Sequence, residues 1–279
     1  MVLVLASCGS GSTSTVAPAT PNQAKGEYLA LGDSVAFGYT PAAVTPLATY
    51  SDAANFVGYP ELVAKATGLH DNNASCSGEA TGGFISLTST DDNGCHTGYR
   101  PRFPLHVAYK TSQLDYAVNF LKTHRNTKLI TLNLGANDVF HLGVTCGGDP
   151  TCVTNGLQAV LVTNQHNLEH IFGALRGAGY QGKIVALTYY SGDYNAGNTA
   201  GTVALNQPII DAATGYHVLI ASGFDAFEPM ANAHGGSSCA AGLLIALPTG
   251  GCDVHPTPLG HSLLSAAIVN AISDGSGSY

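Results

Sequence analysis

From Gly26 onward, short apolar runs alternate with stretches of helical spacing. Residues 27–31 (EYLAL) predict a strand that stops at Gly32. Residues 71–74 predict a short second strand before a turn of small residues. Residues 128–134 (KLITLNL), 183–189 (KIVALTY) and 216–221 (YHVLIA) predict three more. Between them, residues 59–67 predict a helix with Pro60 in its first turn, where proline is tolerated. Residues 112–124 place Leu114, Ala117, Val118 and Leu121 on one helical face behind Ser112 as N-cap. Residues 155–177 predict a long helix stopping at Arg176-Gly177, and residues 257–272 align Leu259, Leu263, Leu264, Ala267, Ile268 and Ala271. Strands alternating with helices at this spacing imply parallel strands with covering helices. The expectation is an α/β, three-layer α/β/α sandwich on a central five-stranded parallel sheet. No internal repeat interrupts it.

Composition narrows the function. The chain has 279 residues with Lys+Arg 10 and Asp+Glu 18, a net charge of −8. Charged residues make up 10% of it, against about 25% in an average soluble domain. The 45% apolar share is too high for a disordered chain. The acidic balance and the lack of Lys/Arg runs argue against nucleic acid as a partner. No apolar run reaches the roughly 18 residues of a membrane-spanning helix. Neither GxGxxG nor GxxxxGK[ST] is present for a nucleotide, and there is no GxSxG elbow.

Ligands of such sheets bind beyond the carboxyl ends of the strands. Gly32-Asp33-Ser34 follows the first strand, Ser75-Cys76-Ser77-Gly78 the second and Gly135-Ala136-Asn137-Asp138 the third; Asp253-Val254-His255-Pro256 precedes the last helix. Nucleophilic acyl transfer needs these residue types. A serine hydroxyl becomes a nucleophile when a positioned base takes its proton. Histidine is that base, and an acceptor on its far nitrogen fixes the tautomer. Glycine N–H groups and an asparagine amide can hold the oxyanion. Taken singly, each motif has an ordinary reading as a turn or loop; their joint placement at strand ends carries the weight.

These four motifs, in this order, resemble the SGNH or GDSL-type hydrolase family, above all its secreted, disulfide-bearing bacterial lipases and esterases. The likeness runs over residues 27–272. It comprises Gly32-Asp33-Ser34-Val35 with Phe37-Gly38-Tyr39, then Asn73 to Gly78, then Leu132 to Asp138, and His255-Pro256 with Gly260-His261. The resemblance implies a flavodoxin-like sheet and a serine carboxylester hydrolase. Ser34 is then the nucleophile and His255 the base, and Asp33 holds the turn. The oxyanion hole is the N–H groups of Ser34 and Gly78 with the Asn137 amide. The chain departs from the family pattern at one point. The family places Asp three residues before the histidine, where this chain has Cys252, with Asp253 two before. Either Asp253 reaches His255 by another loop path, or a backbone carbonyl near Gly251 or Cys252 orients the ring. An imidazole base predicts a rate that rises from about pH 6 to 7.5 and then levels. No metal or organic cofactor is expected.

Six of the seven cysteines form sequence-close pairs in Gly-rich polar segments: Cys76/Cys95, Cys146/Cys152 and Cys239/Cys252. Proximity predicts three local disulfides and an oxidising compartment, with free buried thiols as the alternative. The seventh, Cys8, ends Leu5-Ala6-Ser7-Cys8, which resembles a bacterial lipoprotein cleavage box, and residues 9–23 read as a Ser/Thr/Pro/Gly tether. Residues 1–25 are therefore read as signal remnant and tether, and 26–279 as the catalytic domain. The expected product is a monomer, secreted or at the bacterial cell surface, tethered through lipid on Cys8 and acting on a small-molecule or lipid ester.

Rival readings remain. A carbohydrate O-acetyl esterase or an acyltransferase would use the same residues. A non-catalytic lipoprotein would bind without cutting. His166-Asn167-Leu168-Glu169-His170 matches the HxxEH zinc-peptidase pattern, although a solvated helix face is the simpler explanation. Tyr189 and Tyr190 end the fourth strand and are candidates for the acyl-pocket wall. Residues 86–106 form a long irregular stretch expected to rim the site, with Arg100 and Arg102 either steering an acidic substrate or solvated.

Overall fold

The computed structural model describes residues 25–274. Cys8 and the expected tether, residues 9–23, lie outside that range. Five strands form the sheet: β1 (Glu27–Gly32), β2 (His70–Asn73), β3 (Thr127–Asn133), β4 (Lys183–Leu187) and β5 (Leu219–Ala221). Their order is β2-β1-β3-β4-β5, and every pairing is parallel. β1 and β3 lie at the centre, pairing Leu29 with Ile130 and Leu31 with Leu132. Tyr28 to Leu31 are fully buried, as expected of strands covered on both faces, which read as unbroken apolar runs.

Eleven-residue α4 (Gln113–Thr123) and 28-residue α6 (Pro150–Gly177) belong to one helical group, with the short α3 (Thr81–Ile85), α5 (Ala136–Thr145) and α7 (Ala200–Thr214). The other group is α2 (Tyr59–Thr67), α8 (Gly223–Asn232) and α9 (Pro258–Asp274). A four-residue helix, α1 (Ser34–Phe37), follows β1. The three-layer architecture is the expected one, and the order of the strands reverses between β1 and β3, which is where ligands dock in such sheets.

Several boundaries differ from the sequence expectation. The fifth strand starts at Leu219 rather than at residue 216. His217 is left-handed (φ 52°), and Arg176 takes the carbonyls of Tyr216 (3.0 Å) and His217 (2.8 Å), so neither joins the ladder. The long helix starts at Pro150 rather than 155, because the Asp149 side chain caps it by accepting from Thr151 N. The short α1 and α3, and α5, α7 and α8, were not expected. Nor was an antiparallel hairpin, β6 (Leu244–Ala246) with β7 (Cys252–Pro256), in what reads as a loop.

All three cysteine pairs are bonded, with Cα–Cα distances of 5.7–5.8 Å. They do not all lie in loops. Cys152 is inside α6, so the second bond ties the end of α5 to the start of α6; Cys252 opens β7, so the third pins the hairpin. Among the described residues no helix is long and apolar enough to cross a membrane.

Candidate active site

The turn after β1 is built for close approach. Gly32 adopts φ +135°, and a Cβ there would sit 2.2 Å from the Asn133 carbonyl at the end of β3. Asp33 donates its N–H to that same carbonyl (3.1 Å). Its carboxylate accepts from Val35 N (2.9 Å) and from the Tyr189 hydroxyl (2.5 Å). Burial pushes the Asp33 carboxyl up to about 6, against these two hydrogen bonds. Asp33 thus caps α1 and fixes Ser34 as its first residue. The first N–H groups of a helix have no partner within it, so the Ser34 N–H is spared by the ladder.

His255 comes from β7, 221 residues away in sequence, and its Nε2 lies 2.8 Å from Ser34 Oγ. On the far side of the ring, Nδ1 is hydrogen-bonded to Asp253 Oδ1, which also accepts from the His255 N–H (3.0 Å). A β-strand alternates its side chains, so residues two apart share a face. That lets an Asp at minus two meet the imidazole. Burial alone would raise the Asp253 carboxyl, but the hydrogen bond, charge and N–H of His255 outweigh it and hold the carboxyl below its usual value. The ring of Tyr39 packs on His255 at 4.9 Å.

Asn137 lies in the first turn of α5, beyond β3. Its neighbour Asp138 accepts from Thr81 N (3.1 Å) and Thr81 Oγ1 (2.5 Å), which ties α5 to the start of α3. The Tyr189 hydroxyl accepts from Ala136 N (3.2 Å) while donating to Asp33, so one phenol links the serine turn to the asparagine helix. Gly78, after β2, adopts φ +85°; a Cβ there would meet the Asn93 carbonyl at 2.7 Å and Cys95 N at 2.9 Å. Gln113 bridges the segment to β1, its side chain pairing with both Gly32 N (2.6 Å) and Gly32 O (3.1 Å) and donating to buried Glu79 (3.1 Å).

A cavity of about 620 Å³ opens beside Ser34. Its lining joins Ser34, Asn137 and His255 with the apolar side chains of Val139, Phe140, Leu157, Leu161, Leu205 and Leu244. Tyr189 and Tyr190 both line it; Tyr190 also donates to the Val254 carbonyl (2.7 Å), bracing β7. Gly78 lines a second groove of about 350 Å³ with Asn93, Tyr39 and Tyr99. The 86–106 stretch therefore borders the site, as expected. Of its two arginines, Arg100 donates to the carbonyls of Tyr109 (2.8 Å) and Thr111 (3.1 Å), while Arg102 is exposed, lines the Gly78 groove and donates its Nε–H to Gly98 O (2.6 Å).

His166 and His170 are exposed on α6. The groups of His, Cys, Asp and Glu near enough to share a metal ion, among the described residues, are Cys76/Glu79/Cys95 and Glu79/Asp92/His96, and neither includes these histidines. The two cysteines of the first are joined in a disulfide. Sequence reasoning did not single out Asn93, Gln113 or Glu79. Nothing in their local sequence marks them, because each acts through contacts more than 30 residues away.

Residues 30–263 match the model of the GDSL-like lipase/acylhydrolase family. The chain belongs to this family, and it is a hydrolase of ester bonds. No curated protein sequence matches it. Among solved structures it is similar to phospholipase A1 from Streptomyces albidoflavus NA297, at 18% identity and a TM-score of 0.54, with 91% of this chain and 100% of that one covered. The extracellular lipase of Streptomyces rimosus is similar at 18% identity and a TM-score of 0.53, covering 90% and 100%. A variant of an acetyl xylan esterase from Geobacillus stearothermophilus gives 14% identity and a TM-score of 0.51, covering 88% and 94%. At these identities the likeness is one of fold.

Proposed function

We propose that this chain is a secreted serine carboxylester hydrolase that works through an acyl-enzyme. The observation that carries the reading is the Ser34 Oγ–His255 Nε2 contact of 2.8 Å, with Asp253 on the opposite ring nitrogen, in the lining of a largely apolar cavity. His255 takes the Ser34 proton as Oγ attacks the ester carbonyl. The N–H groups of Ser34 and Gly78 and the Asn137 amide hold the oxyanion. His255 then protonates the departing alcohol, and water attacks the acyl-enzyme by the same route. Asp253, rather than a backbone carbonyl, orients the ring.

The cavity favours a medium or long acyl chain over acetyl. Its volume is that of a pocket for a drug-sized ligand, and each buried CH₂ contributes about 0.8 kcal/mol. Three disulfides suit an oxidising compartment. Lipid on Cys8 would hold the enzyme at a membrane surface, and the working form is a monomer.

The test is initial rates on p-nitrophenyl acetate, butyrate, octanoate and palmitate for wild type, Ser34→Ala and Asp253→Asn. Turnover by wild type and none by Ser34→Ala supports the nucleophile, and a rise in kcat/KM from acetate to octanoate supports the acyl pocket. Asp253→Asn should lower kcat on the order of 10³- to 10⁴-fold, as loss of the orienting carboxylate does elsewhere. Wild-type turnover by Ser34→Ala would end the proposal.

A further inference from the structure

An asparagine side chain has two nearly isosteric ends, and only its NH₂ end can donate to an oxyanion. Asn137 is 5% exposed, and its amide must be held with the correct end toward the substrate. Asn93 supplies a hold: its Nδ2 donates to Asn137 Oδ1 at 2.8 Å, which occupies the oxygen end and leaves the NH₂ end available to the cavity that Asn137 lines with Ser34. The same residue bears on Gly78, because its carbonyl is the nearest atom that a Cβ at Gly78 would strike. The segment carrying it is rigid for identifiable reasons. The Asp92 carboxylate accepts from the N–H groups of Gly94 (3.2 Å), His96 (3.2 Å) and Thr97 (3.0 Å). Cys95, two residues after Asn93, is bonded to Cys76, two residues before Gly78.

We infer that Asn93 is a positioning residue of the oxyanion hole: it sets the orientation of the Asn137 amide and is itself stapled to the Gly78 segment by the Cys76–Cys95 bond. This rests on the proposed serine mechanism. The Asn93 side chain touches neither nucleophile nor base and bonds Asn137, whereas its contact with Gly78 is through the backbone carbonyl, so a change of side chain acts through Asn137.

A double-mutant cycle on p-nitrophenyl butyrate tests it. Asn93→Asp keeps the shape but turns the donor into an acceptor, which rewards the flipped Asn137 amide and points its oxygen at the oxyanion. It should lower kcat by about 100-fold, the effect of losing one oxyanion donor, with KM within about twofold of wild type. Asn93→Ala removes the hold without enforcing the wrong orientation and should lower kcat about tenfold; it serves if the Asp variant does not fold, as judged by near-UV circular dichroism. In an Asn137→Ala background neither change should lower kcat further. The same fractional loss in both backgrounds would make Asn93 merely structural and overturn the inference, as would wild-type kcat in both single variants. Ser34→Ala, run beside them, separates the two failures. If it is inactive while the Asn93 variants keep full activity, only this inference falls; if it is active, the mechanism beneath it falls.

Discussion

The two sides of the Ser34 cleft are built on opposite plans. One side, formed by residues 76–95 and the first turn of α5, is a lattice of specific polar bonds. Asn93 meets Asn137, Asp138 meets Thr81, Gln113 meets Gly32 and Glu79, and a disulfide crosses the whole. The other side, from the later turns of α5 through α6 and α7 to β6, presents Val139, Phe140, Leu157, Leu161, Leu205 and Leu244. Hydrogen bonds are directional and costly to leave unmade when buried, so the polar side has one arrangement. Apolar contact is non-directional and tolerates exchange of side chains of similar volume. The division suits the chemistry. The oxyanion has one shape in every ester, whereas the acyl chain varies.

A first way to break this comparison is to place a methyl group on the polar side. Gly78→Ala puts a Cβ 2.7 Å from the Asn93 carbonyl at a left-handed φ. The proposed oxyanion donor must move, and on that proposal kcat should fall about 10²- to 10³-fold, or roughly 3–4 kcal/mol of barrier. The fractional loss should be equal for acetate and octanoate esters, because the acyl pocket is untouched. A loss confined to long chains would show that the two sides are not separable.

The disulfides sharpen the contrast. Cys76–Cys95 closes a separation of 19 residues and Cys146–Cys152 one of 6. Loop-closure entropy then gives about 3 kcal/mol for the first and about 2 kcal/mol for the second. Urea titration of the paired Cys→Ser variants should rank them so. Activity should separate them further. Losing the first pair releases Asn93 and Gly78 and lowers kcat for every ester; losing the second, behind the apolar side, should leave butyrate turnover near wild type.

On the apolar side, Leu161→Trp fills part of the cavity from α6. Octanoate should lose about 2 kcal/mol in kcat/KM, the equivalent of two to three displaced CH₂ groups, or about thirtyfold, while acetate stays within about twofold. Equal losses on both esters would place the acyl chain elsewhere.

How much of this was legible in the sequence follows the same division of forces. β1, β3 and β4 and the helices 59–67 and 112–124 show in the chain because burial imposes periodicity. Ser34, Gly78, Asn137 and His255 show because they sit just past or between such elements in a known order. α7 and α8 do not show, since each carries an internal proline, Pro208 and Pro229, that reads as a stop. The β6–β7 hairpin is hidden by the brevity of its three- and five-residue strands. With it went the reason why Asp253 reaches His255. Asn93 was invisible altogether: a hydrogen bond across 44 residues leaves no local pattern.

The smallest effect concerns ionisation beneath the site. On the polar side burial raises the carboxyls of Glu79 and Asp138, so acid can neutralise them in place. His261 in α9 behaves in the opposite way. It is 3% exposed, and burial, with a contribution from the charge of His255, lowers its pKa to about 3. Below pH 6.5 the unfolded chain binds a proton there that the native state refuses. Its share of stability is therefore complete above pH 6.5 and falls as pH drops toward 3, by up to about 1.4 kcal/mol per pH unit. The total curve hides this, because Asp71, raised by burial to about 8, and Asp33, raised to about 6, bind protons more readily folded than unfolded and oppose it. The difference between wild type and His261→Gln removes those common contributions. Moving from pH 6 to pH 5 should cost wild type about 1 kcal/mol more than the variant in urea unfolding. A constant difference would mean that His261 takes up its proton in the folded protein, and that the floor under β7 is open to water.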